Sequence, residues 1–289
     1  MRTLNVLGCG AVGRTLARRW TQDGAAELLA VLNRSLASGR RAVAFIGCGR
    51  AVRSPAQLPP ADLMMISAAD EAIETCCRRL CAAGVLRPGT VVFHCSGALG
   101  STILEPAHAQ GAWIASLHPV KSFADPALAA KTFAGTYCTL EGDPQACEVL
   151  DQACRQSGGL VFRIDPALKT IYHAGTVFAC NYLVTLVEIG LRCLERAGVD
   201  RETAAAMLRP LVAGAGENAL SLGPVRALTG PIARGEASVV ARQCEALGQW
   251  DPSLQRLYKV LGTWALELSA AKGSADPAAL AAIEKIFKG

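Results

Sequence analysis

The chain has 289 residues and a mass of 30.2 kDa, which corresponds to one large domain or two domains of ordinary size. Hydrophobic residues make up 51% of it and charged residues 18%, and this balance excludes intrinsic disorder because it provides ample apolar surface to bury. The formal net charge of +5 is spread along the chain without a Lys/Arg-rich run, so we expect no nucleic-acid partner.

Three further features bear on the cellular compartment. The most apolar stretch, Ala174 to Val187, contains Asn181 and ends at Glu188, so we expect no membrane span. A strand pattern begins within the first residues, and no secretory leader is expected. The twelve cysteines include no C-x-x-C pair and no four ligands at zinc spacing. We interpret them as small apolar residues kept reduced in a cytoplasmic protein without a metal site.

The first part of the chain alternates short apolar strands with helical patterns. The predicted strands are Thr3–Gly8, Glu27–Asn33, Asp62–Ser67, Thr90–His94 and Ala112–Leu117. The predicted helices are Ala11–Gln22, Ser35–Ile46 and Asp70–Ala83. Asp70 stands where its carboxylate would cap the third helix. This alternation predicts an α/β Rossmann domain, with a mostly parallel, doubly wound sheet and helices on both faces.

The pattern changes in the second half of the chain. Residues 118–165 extend the sheet, with a strand at Thr132–Glu141, a helix at Asp143–Gln156 and an edge strand at Leu160–Ile164. From Pro166 onward the periodicity is helical, in the segments 166–197, 201–221, 235–248, 251–272 and 276–287. We therefore predict a Rossmann domain over residues 1–165 and an all-helical domain over residues 166–289.

A glycine-rich segment follows the first strand and opens the first helix. It reads Gly8-Cys9-Gly10-Ala11-Val12-Gly13 and fits the dinucleotide fingerprint G-x-G-x-x-G. In that fingerprint the first glycine permits a tight turn, the second permits close approach of the pyrophosphate, and the third permits close packing of helix on strand. The helix N-terminus offers free N–H groups to the phosphates. The segment predicts a bound dinucleotide.

The residues after the second strand indicate which dinucleotide. An NAD site usually has Asp or Glu here to bind the ribose 2′-hydroxyl, whereas this chain has Asn33-Arg34-Ser35. Arg34 can bind a 2′-phosphate with a planar, bidentate contact, and its neighbours can add hydrogen bonds, so we predict NADP(H). Small residues at the end of the third strand, Ser67-Ala68-Ala69, are expected to approach the nicotinamide-side ribose closely.

These residues carry a family resemblance. The Rossmann pattern with Asn33-Arg34-Ser35 resembles the β-hydroxyacid and 6-phosphogluconate dehydrogenase superfamily, which includes pyrroline-5-carboxylate and ketopantoate reductases and deazaflavin-dependent NADP oxidoreductases. The chain is most similar to Rossmann-like bacterial proteins whose helical C-terminal part is a domain of unknown function. The segments that carry this likeness are His94–Leu99 (HCSGAL), Ser116–Phe123 (SLHPVKSF), Tyr172–Ala174 with Asn181–Leu183, and Leu228–Gly235 (LTGPIARG). The resemblance implies a dinucleotide-binding oxidoreductase that is dimeric through its helical domain.

One departure from the β-hydroxyacid dehydrogenases affects the chemistry. That family has a catalytic lysine four residues before an asparagine on the first long helix of its second domain. If Asn181 is that asparagine, the lysine position holds Val177, which cannot transfer a proton. Lys169 and His173 lie further up the same helix and, at helical spacing, on the same face.

Hydride transfer to a C=O or C=N group requires a proton donor, and His173 is our candidate because histidine titrates near neutral pH. The alternative for His173 is a structural hydrogen bond. We expect Lys169, in the first turn after Pro166, to reach solvent. Asn181 is the candidate to orient the substrate or the nicotinamide amide.

Other polar residues lie at the carboxyl ends of strands, where ligands bind in such folds. Ser96 and Gly97 form a turn that is expected to present backbone N–H groups to a substrate carboxylate. His118 is a candidate substrate-binding residue, although structural hydrogen bonds to loop backbone are an open alternative for it and for His94. Arg234 precedes a helix and is expected either to bind an anionic group or to form a salt bridge at a dimer interface.

These features predict an NADP-dependent oxidoreductase that transfers hydride to or from a small anionic carbonyl, hydroxy-acid or imine substrate in the cleft between its domains. The alternative is a non-catalytic protein that binds or senses NADP(H), which Val177 favours and the polar set His173, Asn181 and Arg234 disfavours. We also expect a homodimer, because apolar residues of the helical domain exceed what one sheet domain would cover.

Overall fold

The computed structural model describes all 289 residues, which divide into two compact units, residues 1–183 and 184–289. The first unit therefore extends beyond the boundary predicted at residue 165. It contains one eight-stranded sheet and the helices that cover it, whereas the second unit is entirely helical.

The sheet has the strand order β3-β2-β1-β4-β5-β6-β7-β8. The strands are β1 (Arg2–Leu7), β2 (Ala26–Leu32), β3 (Arg50–Val52), β4 (Leu63–Ile66), β5 (Val91–His94), β6 (Trp113–Pro119), β7 (Tyr137–Gly142) and β8 (Leu160–Arg163). All neighbouring pairs are parallel except β6 and β7, which are antiparallel. The prediction of a mostly parallel Rossmann sheet is confirmed, and the strand order reverses direction between β1 and β4, where such folds bind ligands.

Helices on both faces bury the sheet. The helices of the first unit are α1 (Ala11–Gln22), α2 (Leu36–Ile46), α3 (Asp70–Ala82), α4 (Glu105–His108), α5 (Pro126–Lys131), α6 (Pro144–Gln156) and α7 (Lys169–Thr176). Alternate residues along a strand enter different cores: Val6 of β1 packs in the core with Leu16 and Trp20 of α1, whereas Leu7 packs in the core with Ile73 of α3. Two-sided burial explains the continuous apolar runs of the central strands.

The helical second half begins within the first unit. After α7 the chain continues through a π-helical segment, Val177–Asn181, into α8 (Tyr182–Arg196). The remaining helices are α9 (Arg201–Ser221), α10 (Pro224–Ala227), α11 (Ala237–Trp250), α12 (Pro252–Lys272) and α13 (Pro277–Lys288). In the second unit Val240, Leu266, Ile283 and Phe287 form a small core between α11, α12 and α13.

The stretch Pro166–Arg196 is long and apolar enough, by length and composition alone, to cross a membrane. Its first residues are nevertheless held by the sheet, since Lys169 is buried against strand residues and the hydroxyl of Tyr172 lies 3.0 Å from Nδ1 of His118. Most of the rest of the stretch is exposed in the single chain.

Several local predictions are wrong. Asp70 does not cap α3: Ala69 is the N-cap residue and the Asp70 carboxylate instead accepts a hydrogen bond from Ser96 Oγ at 2.8 Å. The strand predicted at Thr132–Glu141 begins only at Tyr137, because residues 126–131 form α5 and the chain must turn before it can pair with β6. The edge strand β3 was not predicted.

Candidate functional site

The glycine-rich segment joins β1 to α1 at the carboxyl edge of the sheet. Gly8 has φ +70°, and a Cβ atom there would lie 2.7 Å from the backbone of Ala68, so only glycine fits. At Gly13 a side chain would collide with Ser67 Oγ, which fixes the close packing of α1 on the end of β4. A Cβ at Gly10 would meet only Gly8 O, at 3.8 Å. The protein itself does not require glycine at position 10, whereas close approach of a pyrophosphate would.

A cleft of about 670 Å³ opens beside this segment, entirely within the first unit. Nine of the twelve predicted cofactor residues line it: Gly8, Cys9, Gly10, Asn33, Arg34, Ser35, Ser67, Ala68 and Ala69. The other three, Ala11, Val12 and Gly13, do not line it and form the first turn of α1. The structure thus brings the three predicted cofactor segments together around one cleft.

Two of the polar residues predicted to contact the cofactor are already engaged within the protein. Asn33 Oδ1 accepts a hydrogen bond from Cys9 N at 2.7 Å, and Asn33 Nδ2 donates to Ser38 Oγ at 3.0 Å. Ser35 caps α2 by accepting from Ser38 N at 3.2 Å. These bonds fix the shape of the loops. The exposed Arg34 side chain has no hydrogen-bond or ion-pair partner in the protein and remains available for a ligand.

Two further arginines line the cleft and were missed by the sequence analysis. Arg41 lies on α2 and Arg79 in the last turn of α3. A signal for the first was present, because the sequence between Glu27 and Asp62 contains five arginines and no acidic residue. No such signal marks Arg79, whose neighbours include acidic residues.

A second group of polar side chains lies at the carboxyl ends of β5 and β6. Gly97 packs against two imidazoles, since a Cβ atom there would lie 2.5 Å from His173 Nδ1 and 2.9 Å from His118 Nε2. The two rings meet edge to face with centroids 5.6 Å apart. His118 Nδ1 also lies 3.0 Å from the Tyr172 hydroxyl. The structure therefore brings together the predicted residues His173, His118 and Gly97, together with Tyr172.

The two imidazoles differ in their surroundings. Burial, assisted by the nearby His173 and Lys169, lowers the pKa of His118 to about 4, so its ring is neutral at neutral pH. His173 is half-buried, and its Nδ1 lies 3.3 Å from Thr176 Oγ1. Asn181 ends the π-helical segment and is exposed. π-Helical turns inside α-helices are frequent at functional sites.

The turn at Ser96-Gly97 is held by its own hydrogen bonds. His94 is fully buried and accepts at Nδ1 from Ser96 N at 3.1 Å, so its Nε2 carries the proton that is donated to Gly100 O at 3.1 Å. Burial lowers the pKa of His94 to about 4. Ser96 Oγ donates to Asp70 and accepts from the backbone N–H groups of Ala98 and Leu99. The Ser96 N–H is thus used internally, whereas the N–H of the buried Gly97 has no hydrogen-bond partner within the protein.

The expectation that Lys169 reaches solvent is wrong. Its side chain is 1% exposed, and Nζ donates to Ser116 Oγ at 2.5 Å and to Ser96 O at 3.2 Å. Nζ also lies 3.5 Å from Glu141 Oε1. Burial lowers the pKa of this ammonium group, and the Glu141 carboxylate opposes that shift. Ser116 on β6 pairs in register with Glu141 on β7 and with His94 on β5. These three residues therefore form one row of polar side chains across the sheet, and the Lys169 ammonium group lies against this row.

Arg234 lies in the second unit, before α11. Its guanidinium forms two hydrogen bonds to Glu236, Nε to Oε1 at 2.8 Å and Nη2 to Oε2 at 2.9 Å, and the pair is exposed. The structure therefore shows Arg234 in an exposed intrachain salt bridge, and its role toward a ligand or at a dimer interface stays a prediction. No group of three or more His, Cys, Asp or Glu side chains is arranged to hold a metal ion.

The comparisons with known proteins agree with this architecture. Residues 2–119 match the Rossmann-like domain, and residues 136–264 match the Domain of unknown function DUF2520. A search of curated protein sequences finds no significant match.

Crystal structures of similar fold cover nearly the whole chain. A Bacteroides fragilis protein, provisionally described as an NADP oxidoreductase, superposes with a TM-score of 0.77 at 20% identity and covers 91% of this chain and 97% of its own. A Thermotoga maritima protein has a TM-score of 0.71 at 24% identity and covers 93% and 99%. The pyrroline carboxylate reductase of Plasmodium falciparum, with NADP bound, has a TM-score of 0.60 at 14% identity and covers 94% and 98%.

At these identities the superpositions establish the fold. The family matches establish the two parts of the chain, in agreement with the resemblance given by the sequence. The protein consists of a Rossmann-like domain followed by a DUF2520 domain.

Proposed function

We propose that the protein is an NADP(H)-dependent oxidoreductase. The observation that carries the proposal is the cleft beside the glycine-rich segment, whose glycines leave room for a pyrophosphate and whose lining contains arginines but no Asp or Glu. An acidic residue after β2 would repel a 2′-phosphate, and here that place is taken by Arg34. The cleft residues therefore fit NADP(H), as does the likeness in fold to a reductase solved with NADP bound.

The second polar group suits a reaction next to the cofactor. NADP(H), when bound, donates or accepts the hydride. His173 is the proposed proton donor or acceptor, because it is half-buried and faces Gly97 at the edge where such folds bind ligands. The neutral His118 ring beside it is a further hydrogen-bonding group for a substrate. Lys169 does not touch this position directly; it holds the Ser96 carbonyl and thereby the turn that carries Gly97.

The proposed substrate is a small anionic carbonyl compound, hydroxy acid or imine. The test is a screen of 2-oxo acids, β-hydroxy acids and cyclic imines with NADPH or NADP⁺, followed by His173→Gln on any substrate found. Loss of a general acid costs about 10²–10⁴-fold in rate and leaves cofactor binding intact. Full turnover by His173→Gln would show that His173 is structural.

A non-catalytic NADP(H)-binding protein is the second candidate. Two observations favour it. If Asn181 is the asparagine of the related dehydrogenases, Val177 stands at the position of their catalytic lysine. In addition, the buried Lys169 already contacts three acceptors within the protein. The two candidates differ in one observable. A binding protein would hold NADPH tightly and oxidise it with no compound in the screen.

We also propose a homodimer. Several large apolar side chains between residues 168 and 186 are exposed in the single chain, among them Ile171 and Phe178 at 69% and Val184 at 67%. Exposed apolar residues this closely spaced along a helix mark an interaction surface, and a second copy of the chain would cover them through a two-fold axis.

A further inference from the structure

All charged side chains that line the cofactor cleft are positive. Among its lining residues are three arginines, Arg34, Arg41 and Arg79, and no acidic residue. None of the three side chains has a hydrogen-bond or ion-pair partner within the protein. Other arginines of the chain, such as Arg40 and Arg53, also lack a carboxylate partner, and what distinguishes these three is that they line one cleft that contains no acidic residue. Three unpaired guanidinium groups around one cleft indicate an anionic ligand.

The immediate neighbours of Arg41 and Arg79 are placed differently. Arg40 lies on another side of α2 and lines a separate cleft next to β3. Arg78 forms an i,i+4 salt bridge with Glu74 at 2.7 Å. On both helices, therefore, the arginine that faces the cofactor cleft is unpaired and the adjacent arginine is directed elsewhere.

The face of α3 that lines the cleft has a regular spacing. Ala72, Thr75, Cys76 and Arg79 follow each other at positions i, i+3, i+4 and i+7, which share one side of a helix. The pKa of the Cys76 thiol is raised by burial, and the charge of Arg79 opposes this, in keeping with a guanidinium close to the cleft wall.

The position of Arg79 favours a ligand group other than the pyrophosphate. The pyrophosphate is expected at Gly8 and Gly10, next to the start of α3, because Ala68 packs against Gly8. Arg79 lies nine residues further along α3 than Asp70, roughly 13 Å along the helix axis. Arg41 likewise lies in the second turn of α2, beyond Arg34. All three arginines line the same cleft, and Arg41 and Arg79 lie on helices rather than in the loops that carry Gly8, Gly10 and Arg34.

We infer that Arg41 and Arg79 join Arg34 in a three-arginine clamp for the 2′-phosphate of NADP(H), so that the choice of NADP(H) over NAD(H) is set by α2 and α3 as well as by the residue after β2. The inference rests on the proposed function. A phosphomonoester carries a charge near −2 at neutral pH and three acceptor oxygens, which suits several guanidinium donors converging from different walls of a cleft.

The experiment compares two small probes, adenosine 2′,5′-bisphosphate and adenosine 5′-monophosphate, by isothermal titration calorimetry on the full chain. The variants are Arg41→Gln and Arg79→Gln, with Arg40→Gln and Arg78→Gln as matched controls. Each clamp variant should weaken the bisphosphate about 10-fold, because one charge-assisted contact is lost, and should change the monophosphate less than about 2-fold. The controls should change neither.

The outcomes separate the clamp from the proposed function. Wild-type preference for the bisphosphate with unchanged affinity in both clamp variants overturns the clamp and leaves NADP(H) binding intact. Equal losses in the clamp variants and in the controls also overturn it, because the effect is then one of general charge. If the wild type binds neither the probes nor NADPH, the proposed function fails and the clamp fails with it.

Discussion

The buried ammonium group of Lys169 provides the sharpest test of the energetics. Lys169→Met removes the charge and keeps most of the aliphatic stem, so that Ser116 Oγ, Ser96 O and Glu141 each lose a donor or counter-charge. Removing one partner of a buried pair costs about 3–5 kcal/mol, because the remaining charge is left uncompensated. Glu141 keeps two hydrogen bonds from Ser101, N–H at 2.9 Å and O–H at 2.7 Å, so we expect the lower end, about 3 kcal/mol.

The measurement is the free energy of unfolding in urea for the wild type, Lys169→Met, Glu141→Gln and the double variant. Neutralising both partners should cost about 1–3 kcal/mol less than the sum of the single changes, since the double variant leaves no unpaired charge. Lys121→Met is the control: Lys121 donates to Thr132 O at 2.7 Å in an exposed setting, and its loss should cost less than about 0.5 kcal/mol. A cost below about 1 kcal/mol for Lys169→Met, or additivity in the cycle, would refute the reasoning.

Four further outcomes are expected. Arg34→Ala should weaken NADPH about 10- to 150-fold and leave NADH nearly unchanged, measured by titrating cofactor fluorescence; equal wild-type dissociation constants for the two cofactors would count against the NADP(H) assignment. The native pKa of His94 is about 4, below its unfolded value of 6.5. The stability that the neutral ring contributes is therefore present above pH 6.5, and about 3 kcal/mol of it is lost as the pH falls to 4. His94→Gln should reduce this dependence of the unfolding free energy on pH in acid unfolding experiments, and an unchanged dependence would contradict the buried neutral ring. Gly97→Ala should lower stability by about 1–3 kcal/mol in urea, because the new methyl group would displace two imidazoles; a neutral effect would mean that the rings move freely. Light scattering at micromolar concentration should report about twice the 30.2 kDa chain mass, and a monomer there would refute the dimer.

The parts of the fold that were predictable carry their signal locally. The central strands are continuous apolar runs because both faces of the sheet are buried, and the glycine spacing follows from one turn and one helix start. The three-residue edge strand β3 carries too short a pattern, and its existence depends on pairing with β2. Likewise, Asp70 is a typical cap residue by sequence, but Ser96, twenty-six positions away, engages its carboxylate.

In the candidate site, too, some features were predictable from nearby sequence and others depended on distant residues. Gly97, His118 and His173 were singled out by residue type and position, and the strand ends bring them together. The burial of Lys169 was not predictable from its own surroundings, because its acceptors lie 28 to 73 residues earlier in the chain, in the turn after β5 and on β6 and β7. A lysine just after a proline at the start of a helix looks like a surface residue until those partners are known.

The row of polar residues that receives Lys169 has a consequence for how the two family domains could be separated. A fragment ending near residue 165 would retain every strand and the glycine-rich segment but lose α7. Glu141 would then keep its position on β7, 4% exposed in the whole chain, with no cation beside it. The Rossmann-like half therefore depends on a helix that lies within the span matched by the neighbouring DUF2520 family. Exchange of helical domains between related proteins, by evolution or by engineering, would preserve the first half only if the junction falls after α7.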